Sequence, residues 1–152
     1  MKNGRFLLVL GCKTGIPLAM ESEPVLPPAI TFSDGRIRDS ETGKLTLMGV
    51  FHRIKTTQFP FTAPPFFATV FVTNIRGGVR DLPVKMNIEN DQGTAIATVD
   101  GVVTATSIVS LREVAEISFP VPAIKFDVAG QYRAVVFIDG EQIGSRGLNI
   151  II

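Results

Sequence analysis

The sequence predicts an all-β protein in which two antiparallel sheets pack face to face, and three observations predict it. Apolar residues make up 45% of the chain, with 11 Phe, 14 Gly, 10 Pro and no Trp, a balance that suits short strands between frequent turns better than long helices. The run Gly130-Gln131-Tyr132-Arg133-Ala134-Val135-Val136-Phe137-Ile138 is β-branched and aromatic, and Asp139-Gly140 after it suits the positive φ angles of a type I′ hairpin turn. Asp127, Gly130 and Tyr132 stand at the spacing of a tyrosine corner, in which a Tyr near the start of a strand bonds backbone a few residues upstream. Together these specify an immunoglobulin-like antiparallel β-sandwich of Greek-key type with about 7–9 strands.

In chain order, residues 1–28 read as an unstructured leader, because Met20-Glu21-Ser22-Glu23-Pro24-Val25-Leu26-Pro27-Pro28 is polar and Pro-rich. Residues 29–152 read as one domain, a size that buries enough apolar surface to fold without disulfides or metals. Ala29 to Ser33 is a short strand closed by the turn signal Asp34-Gly35, and Arg38 to Lys44 is a solvated turn. Leu45 to Ile54 is apolar on both faces with Gly49 in its middle, the pattern of a central strand with a bulge. Lys55 to Pro65 contains Phe59-Pro60-Phe61 and Pro64-Pro65; proline supplies no ladder donor, so this segment reads as a loop crossing between sheets.

Phe66 to Ile75 is the next strand, Arg76-Gly77-Gly78 a turn, and Val84 to Glu89 a strand with Val84, Met86 and Ile88 inward. Asn90 to Gly93 closes it as a hairpin loop. Thr94 to Val99 and Val102 to Leu111 are weaker β segments, and Ser110 to Ala115 fits a helical turn equally well. Ile117, Phe119 and Val121 alternate inward, while Pro120 and Pro122 suggest an edge. In the hairpin, Tyr132, Ala134, Val136 and Ile138 share the inner face, and Val135 and Phe137 point the other way. Leu148 to Ile152 is the last strand.

Fifteen basic residues against 14 acidic leave a net charge of +1, so no global field steers the protein to nucleic acid. No apolar run reaches the ~18 residues that suggest a spanning helix. Cys12 is the single cysteine; it permits no intramolecular disulfide and marks no oxidising compartment, which points to the cytoplasm. Two readings of the N-terminus stay open. Lys2 and Arg5 before Phe6-Leu7-Leu8-Val9-Leu10-Gly11-Cys12 resemble a bacterial lipoprotein signal, which would anchor the protein in the envelope through a lipid on Cys12, although the apolar core is short and Lys13 follows at once. The other reading starts translation at Met20.

Ile30-Thr31-Phe32-Ser33-Asp34, Asp39, Thr42-Gly43-Lys44-Leu45, Gly49-Val50-Phe51, Phe59-Pro60, Gly130-Gln131-Tyr132 and Asp139-Gly140 together resemble an uncharacterised family of small bacterial proteins, a domain of unknown function. The resemblance covers residues 28–152. It implies a β-sandwich without an assigned activity and carries over no functional residue. Ser33 stands where the resemblance leads one to expect a Cys, which removes any thiol role.

His52, the single histidine, would serve as a general base only with a nucleophile and an orienting acid converging on it, and no motif supplies them. Gly43-Lys44 fails as a phosphate loop, because Arg38 and Leu45 stand where Gly and Ser or Thr are needed. Asp34, Asp39, Glu41, Asp91, Asp100 and Asp139 could gather at one end and hold calcium through oxygen ligands, but Asp is common in turns for its own backbone bonding. No catalytic, cofactor or metal residue is therefore expected. Phe59, Phe61 and Phe66 read either as an aromatic anchor for a partner or as a plug in one end of the core. With Val135 and Phe137 they form the candidate interaction surface, since contiguous exposed apolar residues mark interfaces. The expected function is non-enzymatic protein contact, including self-association as a homodimer; the alternative is a module that binds a small ligand, carbohydrate or calcium at its loop end.

Overall fold

The computed structural model describes residues 29–73, 80–105 and 114–152, and these hold eleven β-strands and no helix. One sheet runs in the order β2 (Leu45–Phe51), β1 (Ala29–Arg38), β5 (Phe66–Val72), β8 (Ala115–Val121). A second runs β3 (Arg53–Lys55), β11 (Glu141–Ile151), β10 (Gly130–Ile138), β6 (Arg80–Glu89), β7 (Ala95–Ala105). β4 (Phe61–Ala63) and β9 (Ile124–Phe126) make a third, two-stranded sheet. Described neighbours pair antiparallel except β3, which lies parallel to β11 through Arg53↔Asn149 and Lys55↔Ile151.

The period-two pattern places the core. Ile30 and Phe32 of β1, Phe66, Ala68 and Val70 of β5, and Ile117, Phe119 and Val121 of β8 meet Val84, Met86 and Ile88 of β6, Tyr132, Ala134 and Val136 of β10, and Leu148 and Ile150 of β11 in one buried cluster. Phe32, Phe51 and Phe66 form its aromatic centre, with centroid separations of 5.9, 6.0 and 5.4 Å. Arg146 sits opposite Ala134 on the inward side of β11. Its guanidinium donates to the Ile30 carbonyl and lies 5.7 Å from the Phe32 centroid, so one side chain joins the two large sheets.

The hairpin β10–β11 turns at Asp139 and Gly140 with φ of 54° and 82°, as the sequence requires of a type I′ turn. Tyr132 Oη donates to the Val128 carbonyl at 2.9 Å, and its ring packs edge-on against Phe126 at 4.8 Å. Tyr132→Phe keeps the ring and deletes the donor. It should lower stability by about 1 kcal/mol and Tm by roughly 2–4 °C, measured by thermal and urea unfolding.

Four expectations change. Asp34-Gly35 is not a turn, because β1 continues to Arg38 and the reversal comes at Asp39 to Lys44. The run from Leu45 to Ile54 is not one central strand: it breaks at His52 into β2, an edge of the first sheet, and β3, an edge of the second. Apolar residues on both its faces suggested burial between neighbours, whereas here one side rests on the body and the other is open. Inside the expected crossing loop, Phe61 to Ala63 pairs with β9 after a cis Phe59-Pro60 bond. Ala95 to Ala105 is a single strand where two segments were expected. The Arg76-Gly77-Gly78 turn, residues 110–113 of the proposed helical turn, and the leader with Cys12 and Met20 lie outside the described residues.

Gly49 has φ of 64°, and an added Cβ would stand 2.3 Å from Asp34 Oδ2 and 3.0 Å from Asp34 Cβ. Gly43 has a similar φ of 72° with open space around it. Gly49→Ala should destabilise by about 1–2 kcal/mol from the left-handed conformation alone, and the carboxylate clash makes its loss larger than that of Gly43→Ala in parallel denaturant titrations.

Candidate functional site

The β1–β2 hairpin is built to leave the sheet. β1 pairs with β5 from Ala29↔Phe71 to Ser33↔Phe67, and beyond Ser33 it pairs with β2 as far as Arg38↔Leu45. Glu116 of β8 sits level with the start of β1, because it pairs with Phe71. A strand advances about 3.3 Å per residue, so a straight β1 would carry Arg36 and Arg38 more than ~20 Å past that level. Yet Arg38 Nη2 donates to both Glu116 oxygens at 2.6 Å, and Arg36 Nη2 to Oε1 at 3.3 Å. The hairpin therefore doubles back on the side that Glu116 faces, opposite the buried Ile117.

Register fixes which side of this arm is open. Arg36 is opposite Leu47 and Arg38 opposite Leu45, so these four share the side that meets Glu116, and both leucines are half-buried. Gly35 is opposite Met48, Ile37 opposite Thr46 and Ser33 opposite Val50, which puts Ile37, Met48 and Val50 on the other side. There they are 55%, 45% and 59% exposed. The arm's turn is closed by Asp39, whose carboxylate accepts the Glu41 and Thr42 N–H groups at 2.7 and 3.1 Å. These bonds, Thr42 first, hold its pKa below the ordinary aspartate value.

β2 is also an unpaired edge among the described residues. Leu45-Thr46-Leu47-Met48-Gly49-Val50-Phe51 contains no charge and no proline, the features by which edges are usually kept from pairing. The other edges of the two large sheets carry them: Glu116 and Pro120 on β8, Asp100 on β7, Arg53 and Lys55 on β3. Beside the end of β2 lies an open cleft of about 250 Å³ lined by Asp34, Phe51, Arg53, Ile54, Pro64 and Phe66.

The residues singled out from sequence are distributed differently. Phe66 and Val135 are 3% and 1% exposed and have no area to offer a partner, which corrects their placement on an interaction surface. Phe59 and Phe61 are half-buried against the core; these rings plug the molecule. Phe137 does point away from Tyr132, but Lys85 Nζ covers its ring at 5.2 Å. Around Val135, Arg133 pairs with Glu89 at 3.8 Å and Thr98 Oγ1 donates to Asn87 at 2.9 Å, so this face is polar. The chain alternation that located it says nothing of the long polar side chains that lie across it.

His52 is exposed between β2 and β3. Among the described residues, no three His, Cys, Asp or Glu come together to hold a metal ion. A shallow cleft of about 230 Å³ opens between Asn90 to Gln92 and Asp127 to Tyr132, but Asn90 Oδ1 there already accepts the Gln92 and Thr94 N–H groups at 3.0 and 2.9 Å. The candidate feature that sequence reasoning missed is the β2 edge. Its signal was present: a seven-residue stretch with neither charge nor proline.

The strands, the folded-back arm and the open edge define an all-β protein, and no helix of the described residues is long and apolar enough to cross a membrane. Residues 28–151 match the model of the family of unknown function DUF6941, and the chain belongs to that family. No curated protein matches the chain. Among solved structures, the Pseudomonas fluorescens alkylpurine DNA glycosylase AlkC, bound to DNA containing an abasic site analog, is similar at 13% identity and a TM-score of 0.41; the match covers 66% of this chain and 28% of the glycosylase.

Proposed function

We propose that this protein is a non-enzymatic contact module of immunoglobulin-like Greek-key type that binds protein through the free edge of β2. The sheet order, the parallel pairing of β3 with β11 and the Tyr132 bond to Val128 support the fold. The observation that carries the function is the β2 edge, whose uncharged backbone is flanked by exposed Ile37, Met48 and Val50. An extended segment laid against such an edge gains main-chain hydrogen bonds, and its alternate side chains gain specificity. One set would lie beside Met48 and Val50, the other toward the cleft under Phe51.

A photo-crosslinking amino acid in place of Met48, introduced in the native host, tests this. A discrete protein adduct from position 48, absent when the probe replaces Val102 of β7, supports the reading; no adduct at 48 refutes it. Val102 is the proper control because it is 66% exposed on an edge that carries Asp100.

A further inference from the structure

We infer that the segment that pairs with β2 is β2 of a second copy, running antiparallel with Met48 on the two-fold axis. The inference rests on the edge reading above and adds the occupant. An isologous contact must be self-complementary, and β2 is. With Met48 opposite its own copy, Leu47 of each chain stands across from the other's Gly49, which brings no side chain of its own, although the Asp34 carboxylate of that chain lies over it. Thr46 stands across from Val50, a β-branched pair, and Leu45 across from Phe51; such cross-strand neighbours stabilise a sheet. No like charges are opposed anywhere along the seven residues.

Charge beyond the strand fits the same direction. Antiparallel alignment brings the turn of one arm, with Glu41, toward the end of the other β2, where Arg53 and Lys55 follow. None of these three side chains has an ion-pair partner in its own chain among the described residues. The exposed apolar sides of the two arms would then form one continuous surface, with Ile37, Met48 and Val50 of each copy shielding one another.

The test uses the purified full chain. Light scattering should give twice the 16.4 kDa of one chain. Met48→Lys, which opposes two ammonium groups at the axis, should weaken association by about 100-fold or more while circular dichroism stays unchanged, because Met48 is outside the core. In a Cys12→Ser background, Met48→Cys should form an intermolecular disulfide on mild oxidation, since directly opposed Cα atoms at ~4.5–5.5 Å are within bridging range. Val102→Cys should not. A single-chain mass at high concentration overturns the inference, as does a dimer that survives Met48→Lys and leaves Met48→Cys unlinked. A monomer whose position 48 still captures a different protein in the host removes the second copy and leaves the edge reading standing; a monomer with no adduct removes both.

Discussion

Phe32→Ala is expected to destabilise the protein by about 3–5 kcal/mol, the range for truncating a fully buried aromatic ring. Phe32 is 0% exposed, and its ring is where three separate devices meet: stacking on Phe51, an edge contact to Phe66, and the Arg146 guanidinium that reaches across from the opposite sheet. Alanine leaves a cavity between two rings and strips the cover from a half-buried cation. Phe32→Leu, which fills most of the volume, should lose markedly less. Urea denaturation of both variants checks this, with a Tm drop of roughly 10 °C for the alanine variant. Equal losses for Leu and Ala would mean that cavity volume is not what sets the cost.

Glu116→Gln is expected to cost about 2 kcal/mol, felt mostly by the arm. The glutamine keeps shape but removes the charge that receives Arg38 on both oxygens and Arg36 on one. Glu116 is only 18% exposed while Arg38 is 46% exposed, so salt screens part of the attraction and not all of it. Amide hydrogen exchange should accelerate across residues 36–47 more than in β5 or β10. Arg133→Gln, which breaks a wider and more open pair with Glu89, should change stability by no more than about 1 kcal/mol. Unaltered exchange in the arm of the Glu116 variant would show that something else holds the hairpin down.

What the sequence made legible was whatever is decided locally. Asp139-Gly140 specifies its own turn, Tyr132 finds an acceptor four residues upstream, and the alternation of Val84, Met86 and Ile88 or of Ile117, Phe119 and Val121 sorts inside from outside without reference to any neighbour. The edge position of β8 was equally readable from Pro120. The arm was not, because its course depends on an ion pair between Arg38 and Glu116, which no local pattern links. Asp34-Gly35 looks like a turn until Gly49 opposite it is seen to supply the left-handed residue that lets the ribbon continue through. Phe66 and Val135 were legible as apolar but not as covered, since coverage is supplied by residues distant in the chain. For the candidate site, the absence of charge in β2 was in view from the start, and only the sheet order showed that it falls on an edge.

The parallel pairing of β3 with β11 also bears on how the protein is made. Arg53 is made 96 residues before its ladder partner Asn149, and pairings of such long sequence separation form slowly. A nascent chain therefore holds β3 undocked until β11 has been made. Exposed strand edges of that kind invite misassembly, so translation speed and chaperone access should govern the yield of soluble protein more than the final stability does.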